Sequence, residues 1–196
     1  MKVLLQTCCG PCLTGSRIPF EEEGMDVTGL WFNPNIHPWT EYDRRLQTLQ
    51  RYVYLEPMEM IYLDEYPLYS TLFGMINSAA AVEEWAGPGM TAPQRAGRCD
   101  FCYRLRLGRA AEEAKRKDYD GYSTTLLISK HQDHDIIRRI GEEIGSETGI
   151  DFIYMDLRKY WKESLRRSKG RRMYRQPYCG CIFSEQERYA GSDGFP

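Results

Sequence analysis

Seven cysteines fall in three tight groups: Cys8, Cys9 and Cys12; Cys99 and Cys102; Cys179 and Cys181. Core cysteines would be scattered singly, whereas soft-metal sites gather short-spaced thiolates from a few loops. Seven thiols are more than one tetrahedral zinc ion or one iron–sulfur cluster needs. The grouping therefore predicts a cluster with a second metal beside it.

In Cys8-Cys9-Gly10-Pro11-Cys12, Cys9 and Cys12 have C-x-x-C spacing across a Gly-Pro turn. A thioredoxin-like redox pair has that spacing, but it leaves five cysteines unexplained. Successive side chains of an extended segment point apart. Cys8 and Cys9 are therefore expected to serve two metal centres or two edges of a cluster. Cys99-Asp100-Phe101-Cys102 is expected to straddle a helix start. Asp100 would be the N-cap and Cys102 would lie in the first turn, where the helix dipole favours thiolate. In Cys179-Gly180-Cys181 the glycine permits a tight backbone that suits a cluster. Glu41, His37, His131, Asp133 and Tyr178 are polar candidates to complete the site. Each also has a plain structural use: Asp133 and His37 as helix caps, Tyr178 as packing.

These groups need positioning elements. Lys2–Thr7 and Val27–Phe32 are expected strands, and Thr40–Leu55 a helix with Tyr42, Leu46, Leu49 and Val53 on one face. Met58–Leu63 is a third strand and Tyr69–Trp85 a helix. Residues 87–98 carry turn residues and form a candidate lid. A helix should follow to about Lys117, then a strand Tyr122–Ser129. Asp133 should cap a helix with an Ile136, Ile137, Ile140 and Ile144 stripe. Asp151–Met155 is the last strand and Leu157–Arg167 the last helix. This alternation predicts one α/β domain over 1–196, a parallel sheet with helices on both faces. Ligand sites of such sheets sit at the carboxyl ends of strands, where Cys8, Cys9 and Cys12 lie.

The chain has 196 residues and a net charge of −2. Residues 166–175 carry six positive charges and no acid, which leaves −8 for the rest. Such a patch suits a phosphate backbone. The apolar start ends at Gln6, too short for a secretory core, and no run is long enough to span a membrane. The expectation is a cytoplasmic protein with reduced thiols and no membrane partner.

The segments CCGPC, FNPNIHPWTEYDRR, RCDFCYRLRL, STTLLISKHQDH and YRQPYCGCIFS occur in this order and carry every cysteine. Together they resemble the QueH-type epoxyqueuosine reductases along nearly the whole chain. Three local departures stand out. Gln6 replaces a frequent His, Lys130 a frequent Pro, and Cys12 an Asp found in some members. The resemblance implies a Rossmann-like domain related to the HUP and PP-loop group. It implies reductive removal of the epoxide oxygen of epoxyqueuosine in a tRNA anticodon loop, giving queuosine without cobalamin. It also implies a [4Fe–4S] cluster, an adjacent mononuclear iron and an external electron donor.

On that reading, one of Cys8 and Cys9, both Cys99 and Cys102, and one of Cys179 and Cys181 hold the cluster. The remaining thiols, Cys12 among them, face the extra iron. Tyr178, His131 or Glu41 would supply a proton. Arg166, Arg167, Lys169, Arg171, Arg172 and Arg175 would grip phosphates. Tyr174 and Tyr178 would stack on splayed bases. Three other functions compete: a zinc-stabilised RNA-binding protein without catalysis, a thiol-disulfide oxidoreductase, and a sulfur-transfer tRNA enzyme. The last usually has a Ser-Gly-Gly-rich ATP loop where CCGPC stands.

Overall fold

Val3-Leu4-Leu5 is a continuous apolar run, and all three residues are fully buried in the first strand, β1 (Lys2–Gln6). An unbroken run of this kind marks a strand covered on both faces. Each fully buried leucine contributes roughly 1.5–3 kcal/mol. The computed structural model describes residues 1–80 and 95–190. After β1 come α1 (Gly10–Glu22), β2 (Asp26–Trp31), α2 (Trp39–Leu55), β3 (Met60–Tyr62) and α3 (Leu68–Ala80). Then follow α4 (Arg95–Arg116), β4 (Gly121–Thr124), α5 (His134–Thr148), β5 (Asp151–Phe152), α6 (Trp161–Gly170) and α7 (Ile182–Tyr189).

The five strands form one parallel sheet in the order β3-β2-β1-β4-β5. Helix α1 packs with α2 and α6, and α4 packs with α3 and α5, which covers both faces. This is the expected single Rossmann-like α/β domain. The strand order reverses beside β1, where Gln6 pairs with Leu30 on one side and Thr124 on the other. A crevice opens outside the carboxyl ends at such a point.

Several elements differ from the sequence expectation. Helix α1 was not expected, because Gly10-Pro11 and Pro19 look like breakers. Proline is nonetheless tolerated in a first turn, and Cys9 caps this one. Gly15 lets α6 approach α1: an added Cβ would lie 2.7 Å from Ser164 Cβ and 2.9 Å from Ile128 Cδ1. The expected strand Tyr122–Ser129 ends at Thr124 and becomes a 3-10 turn over Thr125–Ile128. The Thr124 hydroxyl caps that turn by accepting from the Leu126 amide at 3.2 Å.

Helix α4 starts at Arg95, so Asp100 is not its N-cap. Asp100 instead pairs with Arg104 and Arg139, each at 2.9 Å. Strand β5 is only Asp151–Phe152. The final expected helix divides into a 3-10 turn, Leu157–Tyr160, and α6. Helix α7 was also not foreseen.

Other expectations hold. Asp133 caps α5, accepting from the Ile136 amide at 3.0 Å. Ile137, Ile140 and Ile144 are buried beneath it, with Ile136 half-buried. Of the candidate lid, 95–98 belong to α4 and 87–94 lie outside the described residues, as do 81–85 of the expected third helix. Among the described residues no helix is long and apolar enough to cross a membrane.

Candidate functional site

Cys8 and Cys9 occupy the turn from β1 into α1. Cys9 is the N-cap of α1, and its sulfur accepts from the Cys12 amide at 3.4 Å. Strand β1 ends at Gln6, and Cys9, still extended, opens the helix. The Cys8 and Cys9 sulfurs are 3.8 Å from each other, and all three sulfurs of this group lie within 4.8 Å of one another. The expected divergence of Cys8 and Cys9 is thus corrected: they converge.

The same device recurs at the other end of the chain. Cys181 is the N-cap of α7 and accepts from the Ser184 amide at 3.4 Å. Its sulfur is 3.7 Å from that of Cys179. Between them Gly180 takes φ +115°, a conformation costly for any other residue. Its carbonyl accepts from the His37 amide at 2.8 Å. An added Cβ would lie 2.8 Å from Arg45 Nη1.

Cys99 and Cys102 lie inside α4 rather than at its start, three residues apart and hence on one face. A first-turn thiolate effect on Cys102 does not apply. Burial instead pushes its thiol up to about 12, opposed by the Arg106 guanidinium.

Cys8, Cys9, Cys12, Cys99, Cys179 and Cys181 line a cleft of about 550 Å³. Loops after β1 and β4, one helix face and the C-terminal segment thus converge on one space at the sheet's ligand edge. The Thr125 hydroxyl joins the two strand ends, accepting from the Cys8 amide at 3.0 Å and lying 3.3 Å from its sulfur. Hydrogen bonds from Cys12 and Cys9 hold Cys8 well below the usual thiol range against burial, and Arg106 adds to this. Cys12 draws Cys9 down, but its hydrogen bond with Cys8 and burial outweigh this and lift it to about 12. Cys12 is pushed well up by Cys8, Cys9 and burial. Cys179 is lowered to about 5 by its hydrogen bond with Cys181, and Cys181 is raised by the same partnership and by burial.

This donor set fits a soft-metal centre. A tetrahedral ion with metal–sulfur bonds of about 2.3 Å sets its sulfurs roughly 3.8 Å apart. The Cys8–Cys9 and Cys179–Cys181 separations, 3.8 and 3.7 Å, match that spacing. All seven cysteines are free of disulfides.

The other candidates are placed unequally. Tyr178 and His131 line the cleft. The Tyr178 hydroxyl donates to Glu185 at 3.3 Å, and burial, then Glu41 and Glu185, push its phenol above the ordinary range. Glu41 is buried off the cleft wall, with both oxygens engaged by Arg45 and Tyr174. His37 is buried, 2.8 Å from the Tyr66 hydroxyl, and burial lowers it to about 4.

In the basic segment Arg166 and Arg167 share Glu163, and Arg171 pairs with Glu56. Lys169, Arg172 and Arg175 make no ion pair among the described residues, and Arg175 lines the cleft. One face of Tyr174 is covered by the Arg44 guanidinium, 4.8 Å from the ring centre.

Arg45 and Arg106, both buried, are not signalled by the sequence alone. Arg45, at i+4 from Glu41, donates to the Cys179 carbonyl at 2.8 Å and the Tyr178 carbonyl at 3.4 Å. Arg106, at i+4 from Cys102, donates to Gln6 and Asn33. Helical spacing from a site residue was the available signal for both.

The family model described as epoxyqueuosine reductase QueH matches residues 3–187. A protein of that name from Dehalococcoides mccartyi is 36% identical over 188 residues, covering 96% of this chain and 94% of its own length. One from Thermotoga maritima is 31% identical, covering 95% and 91%. One from Haemophilus influenzae is 30% identical, covering 93% and 71%.

Proposed function

Because the chain belongs to the epoxyqueuosine reductase QueH family, we propose that it reduces epoxyqueuosine in a tRNA anticodon loop to queuosine, without cobalamin. The reaction adds two electrons and two protons and releases the epoxide oxygen as water. The observation that carries this reading is the convergence of six cysteines from three separate segments on one cleft. Cys8, Cys9, Cys12, Cys99, Cys102, Cys179 and Cys181 would hold a [4Fe–4S] cluster and an adjacent iron. When bound, the metal centre supplies electrons singly and a Lewis-acidic ion next to the epoxide.

The chain's own residues supply the rest. Tyr178 and His131 donate protons to the departing oxygen, a role that their place on the cleft wall supports. Glu41 acts from behind, through Arg45, on the carbonyls of Tyr178 and Cys179. Trp161, Leu165 and Leu126 give the cleft an apolar wall for a splayed base, and Arg175 and Arg188 give it a positive one for phosphate. The reaction takes place in the cytoplasm, with an external electron donor.

Binding should depend on the unpaired cations. Arg175→Met should weaken tRNA binding for every sequence and lower the salt slope by about one. Arg166→Met should change it less, because Glu163 already neutralises that charge. Equal effects in a salt-dependent binding titration would refute this ranking.

The decisive experiment is anaerobic turnover of tRNA carrying epoxyqueuosine with a chemical reductant, read by nucleoside mass spectrometry. The purified protein should be brown, with about five iron atoms per chain. A colourless zinc protein that leaves the epoxide intact would overturn the proposal.

A further inference from the structure

Among the described residues three arginines are almost fully buried: Arg45, Arg98 and Arg106. Arg45 pairs with Glu41, and Arg98 with Glu187. Arg106, only 3% exposed, pairs with no carboxylate among the described residues. Its Nη2 donates to Gln6 Oε1 at 3.0 Å and to Asn33 Oδ1 at 2.9 Å, both neutral. Its buried Nε has no hydrogen-bond partner among the described residues. A guanidinium cannot shed its proton, and an uncompensated buried charge is costly. A counter-charge is therefore required.

The neighbours that can carry one are sulfurs. Arg106 lies one helical turn beyond Cys102 on α4, and it donates to Gln6, two residues before Cys8. The guanidinium is fixed there by the ends of three strands. Gln6, the last residue of β1, accepts from Arg106 and from the Thr124 hydroxyl of β4 at 2.9 Å. The Gln6 amide donates to the Phe32 carbonyl just after β2 at 3.0 Å, and Asn33 Nδ2 donates to the Thr7 carbonyl at 2.9 Å. A surface arginine would be screened by water, but this one sits in low dielectric, where its field is strong.

We propose that Arg106 is the fixed counter-ion of the cysteine centre. It holds a permanent positive charge behind Cys8 and Cys102 and raises the centre's reduction potential. Adding an electron makes a thiolate-ligated centre more negative, and an immobile cation favours that reduced form. Arg106 is a positioning and tuning residue, since it does not line the cleft and does not touch substrate. The inference rests on the reading that these thiols hold a redox-active iron centre.

The test is the midpoint potential of the full chain, loaded anaerobically with iron and sulfide, as wild type and as Arg106→Met, Arg106→Lys and Arg106→Gln. Arg106→Met should retain iron and shift the potential to more negative values. Arg106→Lys should return it toward wild type, and Arg106→Gln should not. An unchanged potential in iron-loaded Arg106→Met overturns the proposal, as does Arg106→Gln matching wild type. If Arg106→Met loses iron, recovery by Arg106→Lys but not by Arg106→Gln supports the charge role. Equal recovery by both, or by neither, replaces it with a structural one. A wild-type chain that takes up no redox-active iron overturns the metal reading itself, an outcome distinct from wild type with iron and an unchanged potential in Arg106→Met.

Discussion

Cys9→Ser is expected to fold normally yet lose bound iron and epoxide reduction together. The expectation follows from the two roles of one sulfur. As N-cap of α1, Cys9 accepts from the Cys12 amide, and serine performs that capping task at least as well. The helix start and the packing of Leu13 and Phe20 on the core should therefore survive. As a metal ligand, serine offers a hard oxygen where soft iron–sulfur chemistry needs thiolate. Turnover should fall by more than about 100-fold, because disturbing even the groups that orient metal ligands costs up to that much. Iron analysis, a thermal melt and the tRNA assay read the two roles separately. An iron-replete, active Cys9→Ser protein would remove Cys9 from the site. A protein that loses its fold as well would make the sulfur structural.

The same residue shows what was readable in the sequence and what was not. The three cysteine groups and the βα alternation were legible, because thiol spacing and apolar runs are local patterns. Val3-Leu4-Leu5 declares a covered strand, and the Ile137, Ile140 and Ile144 stripe declares a helix face. The approach of the Cys8 and Cys9 sulfurs was not legible. It depends on Cys9 capping a helix whose two prolines hide its periodicity. The early start of α4 was equally hidden, since Gly-rich sequence precedes it and Asp100 resembles a cap.

The charge of the basic segment is hidden for a related reason. Six positive residues among ten look free, but Glu163 on the preceding turn and Glu56 at the end of α2 neutralise three of them. The buried arginines were least accessible, because their partners come from segments far apart in the chain. Arg45 bonds to a carbonyl 134 positions away and Arg106 to an amide 100 positions away. Within-helix spacing points to such residues only after the site is known.

Arg45→Met should have the second large effect, and on stability as well as on iron. The Arg45 side chain is 1% exposed, and its Nε donates to Glu41 at 2.6 Å. Its two other nitrogens reach the carbonyls of Tyr178 and Cys179, with the guanidinium 5.4 Å from the Tyr178 ring centre. Methionine fills similar space but leaves the Glu41 carboxylate buried with, among the described residues, only the Tyr174 hydroxyl. Breaking one side of a buried pair costs about 3–5 kcal/mol. The segment Cys179-Gly180-Cys181 also loses the donor that holds it against α2, so iron occupancy should fall with stability. Glu41→Gln in the Arg45→Met background should recover part of the loss by removing the stranded charge. Arg45→Lys should not restore iron, because one ammonium cannot serve the carboxylate and two carbonyls in the same fork. Denaturant unfolding with an unchanged slope, together with iron analysis, measures both effects. An Arg45→Met protein within about 0.5 kcal/mol of wild type, the scale of a neutral surface change, would show that this pair does not anchor the C-terminal cysteines.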